Sequence, residues 1–315
     1  MSDVIAITGV TGDVGGKTFE RLVAADAPVR AIVRRPEQAA ALAARGLDAR
    51  IADLGDGAAL TAALRGADQL FLVTAATPRQ AEHGATAVRA AQEAGVRALV
   101  QLSGGDAAEH SPLPWGRAIW RTDERVRASG LPATILHASG FLTNLEPSAP
   151  AISRGLLPQT MGRGVIPWID TADIARVAAH VLEAGGHTGA EPVLTGPALL
   201  DGPGAARELT AGLGRRVRYL HLPSRVFAGV LRLTGMSAWQ AEGLRRQFGV
   251  VARRGLDGVD VLTDEVERIT GTPARSTADW ARSRRSVLLG REQPRPLHAP
   301  PGTGTPTRGS AAGAS

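Results

Sequence analysis

The segment from Val4 to Thr18, VIAITGVTGDVGGKT, constrains this chain more than any other. A short apolar run leads into Gly9, Gly12 and Gly15 at three-residue intervals, and a helix-forming stretch starts near Val14. Between a strand and a helix, glycines at this spacing do three separate things in a dinucleotide site. One allows a tight turn, one lets the backbone approach a pyrophosphate, and one lets helix and strand pack closely. The helix start then presents unpaired N–H groups and a positive dipole end to phosphate. A lone glycine pattern is weak, so its context decides.

The context is a series of βαβ units. Apolar β-branched runs predict strands near 4–8, 29–33, 48–51, 69–73, 97–102 and 133–137. Alanine-rich stretches between them predict helices near 14–25, 37–45, 57–65, 79–94 and 116–129. This alternation implies an α/β fold with a Rossmann-type doubly wound parallel sheet, and ligands beyond the strands' carboxyl ends. Residues 1–140 are the expected NAD(P)-binding domain, with 170–195 returning to it as a helix near 171–184 and a strand at 191–195. Residues 141–169, irregular and rich in Pro and Gly, join 196–285 in an expected smaller α+β substrate subdomain. Residues 286–315 are expected to be a disordered tail.

Charge and composition narrow the partners. The net charge is +6, but residues 282–315 hold six arginines against one acid, so the body is nearly neutral. With few aromatic residues as well, nucleic acid is not an expected partner. No apolar run is long enough to span a bilayer, and no basic leader precedes Val4, so no membrane partner and a cytoplasmic location are expected. The absence of cysteine excludes disulfides and thiolate nucleophiles. No His, Asp or Glu cluster has metal-ligand spacing, so no metal is expected. The only tyrosine is Tyr219 and the only lysine is Lys17, on the helix after the glycine turn. Chemistry built on a tyrosine–lysine pair is therefore not expected.

The second strand ends in AIVRR, about twenty residues past Gly15. NAD-preferring sites place an acid there to bind the ribose hydroxyls. This chain has Arg34 and Arg35, whose guanidinium groups suit the 2′-phosphate of NADP, so NADPH is expected over NADH. The alternative is a solvated loop before Pro36. Asp53 and Leu54 follow the third strand and suit an adenine contact, although an exposed loop aspartate would look the same. Thr74 and Ala75 follow the fourth strand, where small side chains let a cofactor lie close to the backbone.

The chain resembles the NmrA-like, atypical short-chain dehydrogenase/reductase family, which includes NADPH-dependent quinone reductases and triphenylmethane-type reductases. The resemblance lies in TGVTGDVG (8–15), AIVRRPE (31–37), ADLGD (52–56), FLVTAAT (71–77), LVQLSGGDA (99–107), DERVRASGLPATIL (123–136), DTADIARVAAHVL (170–182) and LTGPALL (194–200). It implies hydride delivery from NADP(H) or NAD(H) to a quinone, dye or enone. It assigns Gly9, Thr11, Gly12, Asp13 and Val14 to the pyrophosphate, Arg34 and Arg35 to the 2′-phosphate, and Asp53 to adenine. Thr74 and Ala75 would line the ribose, and Ser103 would lie near the nicotinamide. The chain also departs from the wider superfamily. Trp115 and Ile119 stand where many members carry a catalytic Tyr-x-x-x-Lys pair, and His137-Ala138 replaces the usual Arg-Pro.

The residues leave two kinds of function open. One is an NADPH-dependent reductase for a quinone-like or conjugated carbonyl acceptor, including a tailoring enzyme of secondary metabolism. Hydride addition to such an acceptor gives a delocalised anion that needs little help to gain a proton, so positioning dominates. Its catalytic candidates are Ser103 to orient a carbonyl, His137 to donate to an oxyanion, and Trp115 as a flat wall. Trp120, Trp168 and Phe141 are further wall candidates, with Asn144 and His83 as polar ones. Ordinary packing or a loop position would account for any of these singly. The other function is a non-catalytic NADP(H)-binding redox sensor. The expected partner is a small-molecule substrate, and a homodimer is compatible with the sequence.

Overall fold

In the computed structural model, residues 3–162, 164–233, 236–251 and 261–292 are described. The strands β1 (Ile5–Ile7), β2 (Val29–Val33), β3 (Asp48–Ile51), β4 (Gln69–Leu72), β5 (Ala98–Gly104) and β6 (Ala133–Ala138) carry the expected boundaries to within about two residues. They form one sheet with a seventh strand, β8 (Val193–Leu194), in the order β3-β2-β1-β4-β5-β6-β8. Every pairing is parallel.

Burial on both faces explains why these strands read as almost continuous apolar runs. In β1, Ile5 and Ile7 face one cluster and Ala6 the other. In β4, Phe71 joins the first cluster while Leu70 and Leu72 join the second. The first face is covered by α1 (Asp13–Ala24), α2 (Pro36–Ala43) and α7 (Thr171–Ala184), through Phe19, Leu22, Leu42, Ile174 and Val177. The opposite face is covered by α3 (Gly57–Leu64), α4 (Gln80–Ala94) and α5 (Pro114–Arg127), through Leu60, Leu64, Val88 and Val126. Each fully buried side chain of this size contributes about 1.5–3 kcal/mol. The helices on both faces leave the strands' carboxyl ends as the open edge of the sheet.

A separate cluster gathers the later chain. It includes Leu145, Leu157, Trp168, Leu209, Phe227, Phe248, Trp280 and Leu288. The segment 141–169, read above as irregular, contains a 3-10 helix at Leu142–Ser148, a short α6 (Ala149–Ile152) and the strand β7 (Leu156–Gln159). Prolines at 147, 150 and 158 hide these elements from propensity, although Pro150 is tolerated in the first turn of α6. The strand β7 pairs in parallel with β9 (Arg218–His221), about sixty residues downstream, so no local signal marks it. Also in this region lie α8 (Gly202–Leu213), α9 (Ser224–Leu233) and α10 (Ala238–Arg246).

The tail boundary needs correction. A helix runs from Arg285 to Leu288 with Val287 and Leu288 buried, and Leu288 and Leu289 pack into the later cluster. The tail from 293 onward lies outside the described residues. Among the described residues, no helix is long and apolar enough to cross a membrane.

Candidate functional site

The strand order reverses between β1 and β4, and the crevice at that reversal is where open α/β sheets hold ligands. Thr8 fastens its two sides. Its hydroxyl accepts from the Val73 N–H at 2.8 Å and donates to the Val73 carbonyl at 3.0 Å. Gly9 follows with a φ of +67°, a conformation that favours glycine, and a Cβ there would meet the Val73 side chain at 3.1 Å. The Gly12 N–H donates to the Gly9 carbonyl at 2.8 Å and closes the turn. Gly12 then caps α1 with no side-chain hydrogen bond, leaving the first N–H groups of the helix open. A Cβ on Gly15 would lie 2.4 Å from the Gly9 carbonyl oxygen, so only glycine lets α1 sit this close to the turn.

The side chains around the turn are more specialised than their expected roles suggested. Val14 is buried, so only its N–H faces outward. Thr11 is half-buried, and its hydroxyl has no hydrogen-bond partner among the described residues. The Asp13 carboxylate accepts from the Thr171 hydroxyl at 2.5 Å and pairs with the Lys17 ammonium at 3.0 Å. It thereby ties α1 to the start of α7. A carboxylate turned to a diphosphate would repel it, so the Asp13 expectation is corrected to its backbone N–H.

At the far end of the crevice Arg34 is exposed and has no ion pair among the described residues. Arg35 pairs with Glu37 at 3.1 Å, an exposed contact worth little in water. Asp53 is exposed, with its Oδ1 accepting the Gly55 N–H at 2.7 Å, and Leu54 is half-buried against the Leu60 cluster. Arg79, which the sequence did not single out, lies beside them. A Cβ on Gly55 would be 2.9 Å from its guanidinium. Thr74 accepts from the Gln80 amide at 3.2 Å, and Ala75 is exposed. Three buried polar atoms here have no hydrogen-bond partner among the described residues: Thr77 Oγ1, Gln80 Oε1 and His83 Nε2. With the open helix start and the unpaired Arg34, these unmet groups fit a long polar ligand such as a dinucleotide.

Towards β5 and β6 two expectations are corrected. Ser103 is 1% exposed and its hydroxyl donates to Asp123 Oδ2 at 2.7 Å, inside the β5–α5 interface. Gln101, two residues earlier on the same face, donates to the other Asp123 oxygen at 2.5 Å. His137 is the register partner of Ser103, so it shares that face. Its Nε2 lies 3.0 Å from Glu191 and its Nδ1 lies 3.3 Å from the Gly104 carbonyl oxygen, which leaves neither nitrogen for a substrate. Arg127 grips Glu191 through two bonds of 2.7 and 2.6 Å and holds its carboxyl down at about 2.

Burial pushes the Asp123 carboxyl from its ordinary 3.8 up to about 6, against the Ser103 hydrogen bond and the charges of His137 and Arg127. The folded protein therefore holds this proton more tightly than the unfolded chain. The contribution to stability is complete below about pH 3.8 and is lost as pH rises through about 6. Asp123→Asn removes this titration. Urea unfolding across that window should show a shallower decline for the variant than for the wild type, and equal slopes would contradict the assignment.

Among the aromatic candidates, Trp168 is 1% exposed and packs on Phe248 at a centroid distance of 5.6 Å, so it is core and not a wall. Trp115 and Trp120, both in α5, remain half-buried, as do Phe141 and Asn144. Trp115 meets Trp239 edge-on, with centroids 5.8 Å apart, and a Cβ on Gly243 would fall 1.9 Å from its ring. Asp106 and Asp123 are the carboxyl groups the sequence reading missed. For Asp106 the available signal was the Gly104-Gly105 pair just before it. Among the described residues no cluster of three or more His, Cys, Asp or Glu could hold a metal ion.

A seven-stranded parallel sheet of this order, with a glycine turn at its reversal point, defines a Rossmann-type α/β protein. Residues 1–266 match the NmrA-like family, and the chain belongs to that family. It is 34% identical over 281 residues to an NAD(P)H azoreductase of Xenophilus azovorans, covering 89% of this chain and 97% of the azoreductase. It is also 34% identical over 284 residues to the (4-alkanoyl-5-oxo-2,5-dihydrofuran-3-yl)methyl phosphate reductase of Streptomyces griseus, covering 88% and 96% of the two chains. The NADPH complex of an Escherichia coli NADPH-dependent quinone oxidoreductase superposes with a TM-score of 0.79 at 32% identity, covering 88% of this chain and 98% of that one.

Proposed function

We propose that this protein is an NADPH-dependent oxidoreductase that reduces quinone-like or conjugated carbonyl compounds. The observation that carries the reading is the crevice between β1 and β4, with its open helix start at one end and an unpaired Arg34 at the other. The relatives agree in kind. Azo compounds, quinones and an acylated unsaturated lactone all accept hydride into a conjugated system.

In this reading the N–H groups of the Gly9–Val14 turn bind the pyrophosphate, and α1 adds its dipole. Arg34 and Arg35 take the 2′-phosphate, with Arg79 and Asp53 beside the adenine. Thr74 and Ala75 let the ribose lie on the backbone, while Thr77, Gln80 and His83 offer their unpaired atoms to its hydroxyls. When bound, the reduced nicotinamide supplies the hydride. The protein's part is to exclude water, orient the acceptor and supply a flat surface, the role this reading gives to Trp115. Residues 141–169 and 196–285 are assigned to the substrate side, with α10 bringing Trp239 and Gly243 against Trp115. No tyrosine–lysine pair takes part. The delocalised anion left by hydride addition takes its proton from water.

The test is NADPH consumption by the full chain with quinones, an azo dye and a conjugated enone, set against saturated ketones. Turnover of the conjugated acceptors with none of the saturated ketones is expected. Saturable NADPH binding with no turnover of any acceptor would overturn the reductase reading in favour of a sensor.

A further inference from the structure

Residues 209–241 contain Arg215, Arg216, Arg218, Arg225 and Arg232 but no aspartate or glutamate. All five arginines are exposed, and none pairs with a carboxylate among the described residues. Exposed arginines elsewhere do pair, as Arg97 does with Asp68 at 2.9 Å and Arg127 with Glu124 at 2.6 Å. A basic surface without acids keeps its attraction for anions.

On α9 this charge meets an apolar surface. The inward face of the helix is Phe227 and Leu231, four residues apart and buried in the later cluster. Its outward side carries a second apolar stripe, Val226, Val230 and Leu233, at the i, i+4, i+7 spacing of one helix face. These three are 51%, 40% and 89% exposed. At 3.6 residues per turn, Arg225 and Arg232 run along the flank of that stripe opposite Phe227 and Leu231. Single exposed aliphatic side chains are ordinary, but an aligned stripe is not. Only Leu222 and Pro223 separate α9 from β9. There Arg218 and Leu220 share one side of the strand, and their register partners on β7 are Leu156 and Pro158. Leu156 and Leu220 are exposed, while Leu157, on the other side, is buried.

We propose that α9 and the β7–β9 sheet form a docking surface for an anionic lipid membrane, with Val226, Val230 and Leu233 entering the headgroup boundary and the arginines meeting lipid phosphates. Basic side chains beside an aliphatic stripe are what an interfacial helix presents to a bilayer. The expectation of no membrane partner rests on the lack of a spanning segment, and a surface contact needs none. Other occupants fit less well. A second copy docked by the same face would set arginine against arginine with no acid in the run. Nucleic acid bases need flat rings to stack on, and the exposed apolar residues of this surface are aliphatic. The inference goes beyond the reductase reading and needs neither coenzyme nor acceptor.

The experiment is co-sedimentation of the full chain, in low salt, with vesicles of phosphatidylcholine alone and of phosphatidylcholine mixed two to one with phosphatidylglycerol. The wild type should sediment with the anionic vesicles and far less with the neutral ones. Arg225→Gln together with Arg232→Gln should lower the partition coefficient about twenty-five-fold, or about fivefold per arginine near an anionic surface. Val230→Ser together with Leu233→Ser should lower it about tenfold with every charge kept. The arginines from 282 onward are the same in all three proteins, so their attraction cancels. Each replaced side chain is exposed, which spares the core, and either variant alone decides if the other does not fold. A wild type that ignores the anionic vesicles, or a variant of either kind that binds them equally well, would overturn the proposal. So would binding of poly-glutamate or of a single-stranded oligonucleotide without vesicle binding, which gives the face to an acidic protein or to nucleic acid. A dimer that both variants split would give it to a second copy and overturn the proposal as well.

Discussion

Replacing Arg34 and Arg35 together with alanine should raise the Kd for NADPH about a hundredfold and leave that for NADH within about twofold, taking the net gain per lost contact as about 1.5 kcal/mol. The two coenzymes differ by a single phosphate, so the comparison isolates the group that the guanidinium pair would hold. Charge-assisted bonds from arginine to phosphate are at the strong end of protein hydrogen bonds. Two of them together amount to about 3 kcal/mol, or about two powers of ten in affinity. Little offsets this gain. Arg34 has no competing ion pair among the described residues, and the Arg35–Glu37 contact is exposed and easily exchanged. Fluorescence titration with both coenzymes checks the result. An equal loss for NADPH and NADH would remove the 2′-phosphate assignment and leave the arginines as a solvated loop.

Gly15→Ala should destabilise the protein by about 3 kcal/mol and abolish coenzyme binding, the upper end of what overpacking costs. The added methyl would sit 2.4 Å from the Gly9 carbonyl oxygen and 2.7 Å from its carbon. Both are backbone atoms of the turn itself, so relief requires moving α1 off β1 or opening the turn. Either movement disperses the N–H groups that would face the pyrophosphate. Gly229, inside α9, provides the opposite case, since nothing lies within 4 Å of a Cβ there. Gly229→Ala should stabilise the protein by about 0.5–1 kcal/mol through helix propensity. Denaturant unfolding of the two variants beside the wild type checks both signs. A Gly15→Ala protein as stable as the wild type would mean that the helix does not need its close seat on the turn.

Legibility from sequence followed how local each determinant is. The first six strands and the turn at Gly9, Gly12 and Gly15 are written in consecutive residues, and the structure places them where the pattern put them. The corrected candidates depend on partners far along the chain. The serine hydroxyl at 103 is committed to Asp123, and the imidazole at 137 to Glu191, 54 positions later. Register explains both, because alternate residues of a strand face opposite sides and these two face the helix α5. Trp168 carried no sign of its fate, since its neighbour Phe248 comes from a helical segment eighty residues away. The setting of the Asp106 carboxyl was only partly legible for the same reason. Its slot needs Gly104 and Gly116 together, and only the fold brings them to one carboxyl.

One titration probes the whole account at its base: calorimetry of the purified full-length chain against NADPH and, separately, NADH. A single saturable site that prefers NADPH is the expected outcome, because the phosphate-binding turn and the paired arginines would then act on one molecule. Heat no greater than dilution for either coenzyme would contradict it, and would leave the crevice between β1 and β4 without the ligand on which every functional step depends.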